Sequence, residues 1–190
     1  MNSEQHAQLM EKYRYINVEH HDWWEQVYDD FMYDMEEVGI HVEKIYFTGF
    51  SSQGDGACFE GWLEDRRVYL DHHHKDQYPM IRKLLEHGGY VYAKCEQQGH
   101  YCHENCTSFW TGADTLIGML PQPTEFHEKI ARQWQIQLMD EMDSFEGDVI
   151  DQWRTYMRDL YRRLENEYDH LTSDEVVWET IKANELENAA

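Results

Sequence analysis

The densest set of metal-ligating side chains in this sequence is Cys95-x4-His100-x-Cys102-His103-x2-Cys106. Soft thiolates and imidazoles at short spacing are the donors that zinc takes. A tight hairpin that set Cys95 opposite His100 would turn Cys95, His100, Cys102 and Cys106 to one face, with Glu104 among them. Two features oppose that chemistry. There is no paired Cys-x2-Cys knuckle, and alternate residues on a strand stand about 7 Å apart, too far to share one ion without a bulge. The competing reading is small buried thiols beside polar hairpin histidines. Zinc is the one cofactor the sequence suggests; the main reading below requires none.

Ser51-Ser52-Gln53-Gly54-Asp55-Gly56 is the next candidate. Gly54 and Gly56 could form a backbone nest for an anion, and Asp55 could serve as a base or metal ligand. No Gly-Lys-Ser/Thr follows, so this is not a nucleotide P-loop. The plainer reading is a demanding turn between two strands. With His100, His103 and Glu104, Asp55 defines the enzymatic alternative, a metal-dependent hydrolase or nuclease. His72-His73-His74, with Asp71 and Asp76, lacks the i, i+4 layout of a helical zinc motif.

Charge supplies the third candidate. The chain has 190 residues, 38 Asp and Glu against 16 Lys and Arg, and a net charge of -22. Glu19, Asp22, Glu25, Asp29, Asp30, Asp34, Glu36 and Glu37 form a stretch without Lys or Arg. On a helix these charges would be spaced by about 3.4 Å, the spacing of phosphates along one strand of duplex DNA. Asp22, Asp29 and Glu36 recur at seven-residue steps and would share a face. A second base-free run holds Asp140, Glu141, Asp143, Glu146, Asp148 and Asp151. Such rows could imitate a phosphate backbone and occupy a basic groove; ordinary solvated helix faces are the bland alternative. Arg154, Arg158, Arg162 and Arg163 form the one concentrated basic stripe, which would pair with acids on a neighbouring helix or subunit.

These residues need elements to position them. Trp24, Val27, Phe31, Met35 and Val38 mark an amphipathic helix over 20–38, stopped by Gly39. Strands are expected over 42–50 and 57–63 around the Asp55-Gly56 turn. A short helix over 76–87 follows, then a second hairpin with strands at 90–96 and 100–110 around Gln97-Gln98-Gly99. Residues 112–123, with Pro121 and Pro123, read as a loop. From Phe126 to Leu171 apolar residues recur every 3.75 residues or about that, a helical period rather than a heptad seam. Gly147 is a place for a kink or a break. Thr172-Ser173-Asp174-Glu175 fits a capping box that opens a last helix.

The fold class is therefore α+β: a small antiparallel sheet of about four strands packed by helices, with a long C-terminal helix or helical hairpin. Residues 1–120 form the α+β core. Residues 121–190 form a helical region packed on that core or on a second subunit, so a homodimer is one expected arrangement.

Three segments together resemble a family of small proteins encoded by bacteriophages. They are Ile45 to Gly61, containing the Ser-Gln-Gly-Asp-Gly-Ala run; Gly99 to Asn105; and Leu171 to Glu175 followed by Ala183-Asn184-Glu185. The resemblance carries no catalytic role. It implies a phage accessory protein acting in a bacterial host cytoplasm, where such proteins redirect or inhibit host machinery, including restriction and CRISPR systems.

Composition sets the remaining bounds. Net negative charge disfavours direct binding to nucleic-acid phosphates or anionic lipid. No run approaches the roughly 18 apolar residues of a membrane span. Met1 to His6 lacks the basic and apolar regions of a signal peptide, so reduced cysteines are expected. The leading expectation is a non-enzymatic acidic inhibitor that binds a host protein through that protein's basic, nucleic-acid-binding surface.

Overall fold

Isoleucine, valine and aromatic residues mark the first strand of the sheet, and each of the other three carries at least one aromatic residue. In the computed structural model, β1 (Ile40–Phe47), β2 (Ala57–Leu63), β3 (Tyr92–Gln97) and β4 (Thr107–Gly112) pair antiparallel in sequence order. The structure describes residues 3–20, 22–113 and 128–188. A bulge interrupts the β1–β2 register between Val42 and Lys44. Six α-helices accompany the sheet among the described residues: α1 (Ser3–Lys12), α2 (Glu25–Glu37), α3 (Arg66–His73), α4 (Pro79–Glu86), α5 (Glu128–Leu171) and α6 (Asp174–Ala183). This is the α+β fold expected, with the long helix in the C-terminal part.

The chain forms two compact units. One is Phe31–Asp159; the other joins residues up to Asp30 with those from Leu160 onward. The sequence boundary at residues 120 and 121, and the loop with Pro121 and Pro123, lie outside the described residues.

In the Phe31–Asp159 unit the core is aromatic. The Phe59 ring of β2 stands 5.8 Å from Phe31 of α2 and 5.9 Å from Trp153 of α5. All three side chains are fully buried. Tyr69, Ile81, Leu138, Phe145 and Met157 are among the other fully buried side chains of this unit. Each large aromatic removes far more apolar surface from water than an aliphatic residue would. The other unit has its own small core of Leu9 and Met10 from α1 with Val177 and Ile181 from α6, flanked by Tyr13, Trp178 and Leu186.

Three expectations are corrected. The helix expected from residue 20 begins at Glu25, because residues 22–24 form a turn. The strand expected from His100 begins at Thr107, after a 3₁₀ turn at Glu104–Cys106. The long helix runs through Gly147 without a break. A further helix, α3, has no counterpart in the periodicity; Asp65 caps it, its Oδ1 accepting from Arg67 N and Val68 N at 3.0 Å each.

Candidate functional site

Antiparallel pairing in sequence order places the β1–β2 and β3–β4 connections at the same end of the sheet, and there they pack together. Gly54 has φ +100°, and a Cβ on it would lie 2.4 Å from Tyr101 Cδ1. A Cβ on Gly56 would lie 3.0 Å from the Cys102 carbonyl oxygen. The Ser51–Gly56 loop and the Gly99–Cys106 loop, far apart in sequence, are thus in direct contact.

Three side chains at this end, Asp55, His103 and Glu104, hold the loops. Asp55 Oδ2 accepts the amides of Ser51 at 2.7 Å and Ser52 at 2.6 Å. Ser52 and Gln53 are exposed at the tip. His103 Nδ1 accepts the Asn105 amide at 3.2 Å and lies 3.0 Å from Glu104 Oε2. Glu104, largely buried, lies 3.7 Å from Arg158 Nη1 of α5. His100 is exposed beside Tyr101. The enzymatic alternative needs Asp55, His100, His103 and Glu104 aimed at one point. Instead Asp55 closes its own turn and His103 caps a 3₁₀ turn.

The structure places the residues of the expected zinc set, Cys95, His100, Cys102 and Cys106, on separate elements. Cys95 stands opposite Phe109, not His100, because β4 starts at Thr107. Its buried Sγ donates to the Phe59 carbonyl at 3.2 Å, and burial pushes its thiol pKa well up. Among the described residues, no group of three or more His, Cys, Asp or Glu is arranged to hold a metal ion. A different thiol group does form. Cys58, which the spacing argument passed over, lies within electrostatic reach of Cys102 and Cys106. Burial first, then the neighbouring thiols, pushes Cys58 up to about 12.

The acidic runs are sorted by the fold. On α2, Glu25, Asp29, Asp30, Glu36 and Glu37 are exposed and Asp34 is partly buried. The helix has no Lys or Arg anywhere along it. Asp22 precedes α2, so only Asp29 and Glu36 of the seven-residue row lie on the helix. On α5, Asp140, Asp143 and Asp151 are exposed. Glu141 is not a surface charge: its Oε2 accepts from Met80 N at 2.9 Å and Ile81 N at 3.1 Å. Asp148 accepts the Tyr78 hydroxyl. In the basic stripe, Arg154 lies 5.6 Å over the Phe109 ring and Arg158 reaches Glu104, so these cations serve the fold.

The chain is an α+β protein with a meander sheet, two loops in contact at one sheet end and a helix whose charged residues are all acidic. The chain belongs to a family described as a domain of unknown function (DUF8835), whose model matches residues 23–174. No curated protein and no solved structure matches it. No helix among the described residues is long and apolar enough to cross a membrane.

Proposed function

We propose that this chain is a binding protein that sets the carboxylates of α2 against the basic, nucleic-acid-binding surface of another protein. One observation carries the reading. Glu36 and Glu37 stand in the last turn of α2, at the negative end of the helix macrodipole. A carboxylate there costs about 0.3–1 kcal/mol, and the last turn of the helix holds no basic residue to offset it. Charge kept against the local electrostatics of its own helix serves something outside the helix. The net charge of -22 repels phosphates and attracts a cationic groove. The partner is then a bacterial nuclease or other nucleic-acid-binding defence component in the host cytoplasm. Inhibition is competitive occupation of its groove, with no covalent step. The phage-like segments agree with that setting.

The test is capture from a bacterial lysate with wild-type chain and with an E25Q/D29N/D30N/E36Q variant, each at low and high salt. The expected result is a nucleic-acid-binding protein that duplex DNA displaces, and whose capture is lost at high salt and in the variant. Capture that the neutralised variant retains in full overturns the reading.

A further inference from the structure

The solvent face of α5 between Lys129 and Gly147 carries an ordered pattern of charged and apolar residues. Lys129, Arg132, Ile136, Met139, Asp143 and Glu146 follow one another at alternating steps of three and four residues, and all six are exposed. Ile136 is 61% and Met139 60% exposed. At 3.6 residues per turn they form one stripe. Leu138 and Phe145, both 1% exposed, point the other way into the core, and Glu141 points with them to cap α4. The stripe is therefore opposite the packed face.

Single exposed apolar residues need no explanation. The order of charges along this stripe does. It runs two cations, two apolar residues, two anions. Such a stripe is complementary to itself when a second copy lies antiparallel. Lys129 then faces Glu146, Arg132 faces Asp143, and Ile136 faces Met139, each contact occurring twice about a two-fold axis. A parallel pair would oppose cation to cation and anion to anion, which disfavours it. Gly147 lies at the edge of the same face. A glycine inside a helix costs about 1 kcal/mol relative to alanine, and nothing within 4 Å of its would-be Cβ requires one. Open space over a bare backbone is what a second helix needs for close approach.

We infer that a second copy of this chain docks antiparallel on this stripe, as an isologous helix pair centred between Ile136 and Met139. A single helix pair of this length buries about 1,000 Å² or less in total, the low end for specific interfaces. The dimer is therefore concentration-dependent. The inference does not rest on the acidic-groove reading, and it assigns Asp143 to self-pairing rather than to the α2 binding face.

Sedimentation equilibrium over roughly 5–200 μM tests it with two charge variants. D143K/E146K makes the stripe uniformly basic, and K129E/R132E makes it uniformly acidic. The expected result is a wild-type mass that rises with concentration, two variants that stay monomeric, and a heterodimer when the variants are mixed. I136D is expected to be monomeric with an unchanged circular dichroism spectrum, because residue 136 touches no core. A wild type that stays monomeric throughout overturns the inference. So does a dimer that persists in both charge variants, since a parallel pair or another interface would ignore the swaps.

Discussion

The carboxylate of Glu141 on α5 accepts the backbone amide of Met80, the second residue of α4, at 2.9 Å. The same oxygen takes the Ile81 amide, and Oε1 accepts from Gln137 Nε2 at 3.1 Å. α4 needs this help. Its own N-cap residue, Tyr78, has φ 59° and offers no side-chain cap. Glu141 therefore supplies from another helix both the acceptors and the negative charge that an α-helix N-terminus requires.

E141A should cost about 2 kcal/mol, because two partly buried amides lose a charged acceptor. E141Q keeps one acceptor and should cost about 1 kcal/mol. D140N, one residue away and exposed, should stay within about 0.5 kcal/mol of wild type. Urea denaturation of the three variants checks the order. Equal effects of E141Q and D140N would remove the cap from the account.

His73 gives the fold an acid-sensitive joint. Its Nε2 lies 2.8 Å from the Tyr156 hydroxyl. Burial first, then His72 and His74, lowers its pKa from 6.5 to about 4. The unfolded chain thus binds a proton between those two values that the folded chain refuses. The contribution to stability is complete above pH 6.5 and is lost as pH falls towards 4. The ring is only half-buried, so solvent screening reduces the loss to on the order of 1–2 kcal/mol. H73F should flatten the slope of stability against pH across this window, relative to wild type. An unchanged slope would show that carboxylates alone set the acid response.

How much of this was legible in the sequence depended on how local each cause is. Ser173 was readable as a cap because its partner, the Val176 amide, is three residues away. Phe31, Met35, Trp153 and Met157 were readable as core because helical period alone aligns them. The capping role of Asp65 was equally local, but Arg66 to His73 is too charged to show a clear apolar face. The role of Glu141 was not readable, since its partners are 60 and 61 residues distant in sequence. It looked like one more member of an acidic run. The register expected for the zinc set was misread for a related reason. Pairing Cys95 with Phe109 is fixed by where β4 starts, and alternation along Tyr101 to Cys106 imitates a strand where the chain makes a 3₁₀ turn.

The contact between the two loops can be tested at Gly54. At φ +100° a non-glycine residue is strained, and its Cβ would enter the Tyr101 ring. G54A should therefore destabilise by about 1–3 kcal/mol. Adding Y101A removes the clash but leaves the backbone strain. The double variant should accordingly be less destabilised than the sum of the single changes, by at least about 0.5 kcal/mol in a double-mutant cycle. Strict additivity would mean that the loops do not bear on one another in solution.

Thiol chemistry offers the last check on the sheet end. Reaction requires access and the thiolate. Cys58 and Cys95 are fully buried, and burial raises both pKa values. Cys102 is 5% exposed and raised in the same way. Cys106 alone of the four is partly exposed. A disulfide-exchange reagent at pH 8 should therefore label one thiol quickly in the folded chain and all four in denaturant. C106S should abolish the fast phase while leaving the slow one. Because Cys58 feels the charge of both Cys102 and Cys106, a bulky adduct on Cys106 should also disturb the β2 end, and thermal melting of the singly labelled protein should fall below that of C106S. Fast labelling at Cys95 would mean that β3 is open where the structure closes it against Phe59.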